Sequence, residues 1–354
     1  MGRVWLRAVW IASLLLGLLS GAPAVAAGAE LPQSIPLPVR VHLAVRVLDV
    51  SAVDETSGVI SAVVEITQRW NDPSLRFDPV REGKGRKDFA EAEAEQKLQA
   101  IWTPAAGFKN LINDARADAT FLSIFANGDV TLIRRLDADF RTTMELSAFP
   151  FDTQRLVFPV ASEAHASDEV IFIVDDRDRE LSSLARSLTE SDWTPRRLEF
   201  SLEQVYGWNS KPFMHVNTTV VLSRAWPRYV LRIFVPLFAV LSISLFVLWA
   251  PRGFVGDIPD ITYAALLALA ALGFTFEANY PGSMSVNSPV AFMISLGYLY
   301  LILALTADMV LESDRFPGKA AYPHLPEEAR RTIRYVLPGI FLVVSAATIF
   351  RALA

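Results

Sequence analysis

Four long apolar runs in the second half of the chain restrict its fold more than any other feature. They cover residues 229–250, 258–277, 289–311 and 333–352 of the 354-residue sequence. A helix needs roughly 20 consecutive apolar residues to cross the hydrocarbon core of a bilayer. Because backbone polar groups inside lipid must bond one another, we predict that residues 228–354 form a transmembrane domain of four helices.

A shorter apolar segment at the start of the chain has a different character. Arg3 and Arg7 precede an apolar stretch, and Ala24 and Ala26 place small residues at a cleavage position. This order is typical of a secretory signal peptide, so we predict that residues 1–26 are removed during export. The alternative is a retained membrane helix, for which the stretch is short.

Basic residues in the loops predict the orientation of the four helices. Arg252 lies between the first and second runs, and Lys319 and Arg331 lie between the third and fourth. The loop between the second and third runs, residues 278–288, has neither Lys nor Arg. Because cytoplasmic loops carry the excess of basic residues, the part before the first run is predicted to be periplasmic or extracellular.

The part of the chain before the runs has the alternation of half-buried antiparallel strands. Apolar and polar residues alternate at 41–50, 59–66 and 119–124, and turn residues recur about every ten positions. This pattern predicts a β-sandwich over residues 30–227. The charged stretch 81–98 is predicted to be a solvated loop with at most two helical turns. The Asp-rich stretch 175–180 is predicted to be a hairpin turn, with a divalent-cation site as the less favoured alternative.

Composition excludes several classes of function. The chain has no cysteine, so disulfides, thiolate metal sites and cysteine nucleophiles are impossible. A net charge of −5 gives no basic surface for nucleic acid. The histidines are scattered, and the sequence has no zinc-protease, nucleophile-elbow or phosphate-loop motif. We therefore expect no catalytic site, metal or cofactor.

The second apolar run is acidic at both ends and rich in small residues between them. Asp257 and Asp260 stand at its start and Glu277 at its end. Spacings of four and three place one stripe on a helix face, formed by Asp260, Ala264, Leu267, Ala271 and Phe274. If several copies surround an axis, the carboxylates form rings that favour cations, and Leu267 forms an apolar constriction. The alternatives are that Asp257 is only a helix N-cap and that the small residues serve close helix packing.

Short motifs along the chain carry a resemblance to a known family. They are residues 149–154 (Phe-Pro-Phe-Asp-Thr-Gln), 70–72 (Trp-Asn-Asp), 101–104 (Ile-Trp-Thr-Pro), Arg224 with Pro227, Tyr229 and Pro236, and 277–281 (Glu-Ala-Asn-Tyr-Pro). In this order they resemble prokaryotic pentameric ligand-gated ion channels of the Cys-loop receptor superfamily. The two loop cysteines of that superfamily would fall at Thr142 and Leu156 and are absent, as in the prokaryotic members.

The resemblance implies an all-β, immunoglobulin-like sandwich followed by four membrane helices, in a homopentamer around a central pore. It implies a bacterial inner (plasma) membrane, permeant ions, and a small-molecule ligand or protons acting between neighbouring sandwiches. It also implies a coupling contact to the membrane that contains Glu55, Pro150, Asp152, Arg224 and Pro281. The alternatives are three unrelated surface charges in place of the cluster, and a ligand-sensing receptor of the same fold that does not conduct.

The ligand site is the least defined expectation. Glu65 and Lys109 are charged where amine-binding members of the superfamily tend to have aromatic residues, so an aromatic cage for a quaternary ammonium is not favoured. The later hairpin offers the aromatic side chains of Tyr206, Trp208 and Phe213. Another segment, which resembles a binding loop, offers Glu163 and His165. A small amine, an anion and protons all remain open as ligands.

Overall fold

The computed structural model describes residues 31, 35–207, 209–249, 258–280, 283–284, 288–313 and 322–353. The predicted signal peptide and three predicted site residues, Trp208, Asp257 and Pro281, lie outside the described residues.

Two sheets form the first half of the chain, which confirms the predicted β-sandwich. A seven-stranded sheet has the order β3-β5-β6-β2-β1-β8, with β9 paired to β1, and a four-stranded sheet has the order β10-β11-β7-β4. The strands are β1 Val39–Asp54, β2 Val59–Asn71, β3 Arg86–Ala90, β4 Ala106–Phe108, β5 Ala117–Phe125, β6 Asp129–Arg141, β7 Thr153–Ser162, β8 Val170–Ile173, β9 Ser183–Leu184, β10 Trp193–Tyr206 and β11 Pro212–Arg224.

The alternation in the sequence explains which residues fill the core between the sheets. In β1, Val41, Leu43 and Val45 are fully buried, while Arg40 and Arg46 on the opposite side are exposed. Aromatic rings join the two sheets: the centroids of Phe140 on β6 and Phe158 on β7 are 5.0 Å apart, edge to face. The alternate side chains of each strand that point inward are therefore buried against the facing sheet and hold the two sheets together.

The turn between β1 and β2 is held close to the end of β6. Gly58 has a φ of +66°, and a Cβ at this position would lie 2.6 Å from the carbonyl oxygen of Thr142. Glycine is therefore required here, both for the left-handed backbone and for the close approach. The turn carries Glu55 to the end of the sandwich that faces the helices.

Two local predictions differ from the structure. Residues 81–98 contain the edge strand β3 and helix α2 (Glu91–Ala100), because alternating Glu and Ala favours a helix more than the charge density suggested. Residues 175–180 form helix α3 (Asp176–Leu181), capped by Asp175, instead of a hairpin turn. A further short helix, α1, covers Pro79–Glu82.

Beyond the sandwich the chain is helical. The helices are α4 (Pro227–Tyr229), α5 (Val235–Trp249), α6 (Ile258–Asn279), α7 (Pro289–Glu312) and α8 (Leu325–Leu353). In the described part of the chain, three of them, α6, α7 and α8, are long and apolar enough to cross a membrane.

The first predicted span is divided because a proline interrupts it. A π-helical segment, Val230–Phe234, lies between α4 and α5, and Pro236 is the second residue after it. Proline donates no backbone hydrogen bond and its ring clashes with the carbonyl four residues earlier, so a wider turn accommodates it. The longest regular helix in this region, α5, has 15 residues.

An ion pair joins the third and fourth apolar helices. Arg330 on α8 donates to Asp308 on α7, and the two side chains are 16% and 6% exposed. Near the same end of the helices, the Trp249 ring of α5 packs edge to face on Tyr335 of α8, with centroids 4.9 Å apart. These contacts hold α8, which is otherwise the least buried of the three long helices, against its neighbours.

Candidate functional site

Arg224, the last residue of β11, is the centre of a buried charge cluster. Its Nε and Nη2 donate to the two oxygens of Asp152 at 2.6 and 3.0 Å, a bidentate pairing. Its Nη1 donates to Glu55 Oε1 at 2.6 Å and to the Tyr229 hydroxyl at 3.2 Å. The structure thus brings together three predicted coupling residues that lie on the β1–β2 turn, the loop before β7, and β11.

The cluster is sealed from water by aromatic rings. The Arg224 side chain is fully buried, and those of Asp152 and Glu55 are 2% and 14% exposed. The guanidinium carbon lies 4.2 Å from the ring centroid of Trp193 and 4.8 Å from that of Phe149. Rings at this distance favour a cation through their quadrupoles.

The charges in this cluster have shifted proton affinities. Burial opposes the charge on Arg224, but the hydrogen bonds and charges of Asp152 and Glu55 outweigh it and raise the pKa of Arg224. Burial raises the pKa of Glu55, although Arg224 acts in the opposite direction. The second oxygen of Glu55, Oε2, is buried and has no hydrogen-bond partner among the described residues. Glu55 therefore takes up a proton more readily than an exposed glutamate does.

We expect the stability of the protein to depend on pH through Glu55. A raised pKa in the folded state means that Glu55 adds stability below its ordinary pKa of 4.5, and that this contribution is lost as the pH rises through the shifted value. The melting temperature of wild type minus that of Glu55→Gln should therefore decrease from pH 4.5 to pH 7. Melting curves of the two proteins that stay parallel over this range would contradict the assignment.

A second set of contacts joins the same loop to the helices. The Phe149 ring stacks on Tyr280, at the end of α6, with centroids 4.9 Å apart, and packs edge to face on Tyr229 at 5.4 Å. The Phe149–Pro150 peptide bond is cis, and Phe149 is fully buried. The loop that supplies Asp152 to the charge cluster therefore also touches the helix that bears the stripe.

Sequence analysis missed several members of this site. Gln154 donates to Asp152 Oδ2 at 2.6 Å, and Asp192 accepts from the Tyr229 hydroxyl at 3.0 Å. The ring contact of Tyr280 with Phe149 was also not predicted.

The predicted stripe forms one exposed side of α6 in the single chain. Leu267 and Phe274 are 73% and 74% exposed, and the other stripe residues and Glu277 are also exposed. The opposite side packs into the helix core through Ala265, Leu269 and Phe276. Apolar side chains that stay this exposed in the single chain leave a surface that lipid, other protein chains or a pore can meet. Pore lining by these residues remains a prediction.

The structure places most of the predicted ligand residues on the four-stranded sheet. Lys109 follows β4, and Glu163 and His165 follow β7, which pairs with both β4 and β11. His165 Nδ1 lies 2.9 Å from Glu169 Oε2, and its ring packs on Trp102 at 5.5 Å. Tyr206 and Phe213 flank the β10–β11 hairpin, and Tyr206 is 71% exposed. His215 of β11, not predicted, has its pKa lowered by burial and then by Lys109.

Glu65 lies on the other sheet and its carboxylate is occupied. Arg46 donates to Oε1 at 3.0 Å and Arg135 donates to Oε2 at 2.7 Å, across β1, β2 and β6. Glu65 is 5% exposed, while the two arginine side chains are 45% and 54% exposed. A ligand on this face would therefore meet guanidinium groups rather than the predicted carboxylate.

Comparison with known proteins gives a consistent set of relatives. Residues 29–226 match the neurotransmitter-gated ion-channel ligand binding domain. A proton-gated ion channel of Gloeobacter violaceus is 22% identical over 356 residues, covering 98% of this chain and 93% of that protein. The glycine receptor subunit beta of Rattus norvegicus is 22% identical over 79% of this chain and 57% of its own length. An acetylcholine-gated chloride channel subunit of Caenorhabditis elegans is 23% identical over 78% of this chain and 60% of that protein.

Proposed function

Because this chain belongs to the neurotransmitter-gated ion-channel family, we propose that it is a subunit of a homopentameric, cation-conducting channel of a bacterial inner membrane. Residues 30–227 form the periplasmic ligand-sensing domain and residues 228–354 the membrane domain, after removal of residues 1–26. A ligand or protons acting on the sandwich open the pore. Four spans are proposed, the first being the segment that the π-helical turn divides.

One observation supports this function above all others, the continuous contact from the buried charge cluster to the stripe-bearing helix. Asp152 is held by Arg224, Phe149 lies three residues before Asp152, and Phe149 stacks on Tyr280. A displacement of the sandwich loop can therefore reach the end of α6 through a direct side-chain contact. The test is reconstitution of the purified protein in a lipid bilayer with current recording during steps of pH and application of candidate ligands.

Protons are a stimulus that this chain is equipped to sense. Glu55, whose buried Oε2 has no hydrogen-bond partner in the described part of the chain, offers an acid-sensitive group, and the relative from Gloeobacter violaceus that covers nearly the whole chain is a proton-gated channel. Currents that appear on acidification alone would favour protons over a small amine or an anion.

We expect Asp260 to control ion selectivity. It stands exposed in the first turn of α6, where copies around an axis form a ring of carboxylates. In Asp260→Asn the permeability ratio of sodium to chloride should fall about tenfold, or about 1.4 kcal/mol, measured as a shift of the reversal potential in a salt gradient. Glu328→Gln, an exposed glutamate at the start of α8, should leave the ratio unchanged. Wild-type currents that follow the chloride gradient would refute the cation assignment.

The competing function is a ligand-sensing receptor of the same fold that does not conduct. Such a receptor needs the sandwich and the coupling contact but has no need of a stripe with acidic ends. Ligand binding without current in the reconstituted protein would favour it. The stripe residues exposed on α6 favour the channel.

A further inference from the structure

A cavity of about 530 Å³ lies at the end of the seven-stranded sheet that is far from the helices. Its walls come from the start of β1, the end of β2, the β5–β6 turn and α3. The cavity is remote from the charge cluster. His42, which lines the cavity, and Glu55 of the cluster lie near opposite ends of β1, roughly 40 Å apart along an extended strand. The volume is within the range of roughly 300–1,000 Å³ that small-molecule sites occupy. None of the residues that line the cavity belongs to the charge cluster or to the predicted ligand residues.

Three arginines line this cavity, and one of them is held rigidly. Arg69 of β2 donates to Asp178, which is fully buried beneath it, and His42 Nδ1 lies 3.1 Å from the same carboxylate. The Nε of Arg69 is buried and has no acceptor among the described residues. A guanidinium fixed in this way loses little freedom when it binds a further group.

The other two arginines are available for a ligand. Arg40 of β1 and Arg177 of α3 line the cavity and are exposed, and their side chains make no ion pair or hydrogen bond to any residue that the structure describes. The one lining carboxylate, Asp129, is already occupied, because Asn71 and Asn127 each donate to it at 2.7 Å. The cavity therefore offers unpaired guanidinium groups without a competing free carboxylate in its wall.

We propose that this cavity binds a small organic oxyanion, recognised by Arg40, Arg69 and Arg177. Guanidinium groups pair with carboxylate and phosphate oxygens in forked hydrogen bonds. The volume exceeds what an inorganic phosphate fills, so a carboxylate-bearing organic molecule fits better. This site is separate from the channel's proposed ligand region, and binding to it is measured without any current.

The test is calorimetric titration of the full-length protein in detergent with succinate, inorganic phosphate and neutral succinamide. We expect succinate to bind and succinamide to give no heat. Binding of succinate but not of phosphate would indicate recognition of an organic anion, and binding of both would indicate recognition of the oxyanion group. Either result supports the site. The absence of binding by both anions at millimolar concentration would overturn the proposal.

Variants assign the binding to this cavity. Arg40→Gln combined with Arg177→Gln should weaken succinate binding at least about tenfold, because two charge-assisted partners are lost. Arg186→Gln changes an exposed arginine that is not part of the lining, and should leave the affinity within about twofold of wild type. The double variant removes no internal contact, so its melting temperature without ligand should equal that of wild type. Equal affinity of the double variant and wild type would place the anion elsewhere and end the proposal.

Discussion

Arg224→Gln is expected to abolish assembled, functional channels. The substitution leaves the Asp152 carboxylate, 2% exposed, without its bidentate partner. It also leaves the Glu55 side chain without its one hydrogen bond to a residue that the structure describes. Breaking a buried ion pair by removing one partner costs about 3–5 kcal/mol, which is a large share of a typical stability of about 5–15 kcal/mol. The measurements are the pentamer fraction in size-exclusion chromatography and the current amplitude after reconstitution.

Arg228→Gln is the matched control for this variant. Arg228 lies four residues further along, is 53% exposed, and bonds to Ser191 and Asp192. Exposed ion pairs contribute about 0–1 kcal/mol, so Arg228→Gln should assemble and conduct like wild type. An Arg224→Gln protein that assembles and opens normally would show that the cluster neither holds the domains together nor couples them.

Asp308→Ala is expected to have the second largest effect, on the packing of α8. The Arg330 guanidinium, 16% exposed, would lose its carboxylate, and its Nε already has no partner among the described residues. The free energy of unfolding should fall by about 3 kcal/mol, at the lower end of the range for buried ion pairs because the site is close to the helix ends. The measurement is the temperature at which the pentamer peak disappears in detergent.

The double variant Asp308→Ala/Arg330→Ala distinguishes the loss of the interaction from the cost of leaving one charge unpaired. Removing both charges eliminates the unpaired guanidinium, so the double variant should be more stable than Asp308→Ala alone. Arg331→Gln, at an exposed position on the same helix, should behave like wild type. Additive losses in the two single variants would mean that the two charges do not interact.

Much of the fold followed from local patterns, and the deviations have local causes. Alternation placed β1, β2 and β5, because one face of each strand is buried and the other is not. The pattern could not place Asp178 in the interior, since its partners His42 and Arg69 are 136 and 109 residues away in the chain. A proline inside a membrane helix such as Pro236 favours a local kink, but whether the kink takes the form of a π-helical turn depends on how the neighbouring backbone is held.

The candidate site was predictable to a different degree. Arg224 is 169 residues from Glu55 and 72 from Asp152, so no periodicity connects them, and their grouping was implied by the family resemblance alone. Glu65 was predicted from its position along the chain. Its pairing with Arg46 and Arg135 depends on the cross-strand register of three strands, which the sequence does not state.

The sandwich connects to the membrane helices in two places, through Tyr229 into α5 and through the Phe149–Tyr280 contact to α6. The π-helical segment lies in the first of these connections, so we expect the two to differ in stiffness. Val230–Phe234 is wound more loosely than a regular helix, so a displacement that arrives at Tyr229 can be absorbed by these five residues before it reaches lipid depth. Helix α6 is regular over its 22 residues, so we expect a displacement of Tyr280 to be passed along the helix with less loss. In the proposed channel, we therefore expect movement of the sandwich to reach the helix that carries Leu267 more fully than the helix beside it.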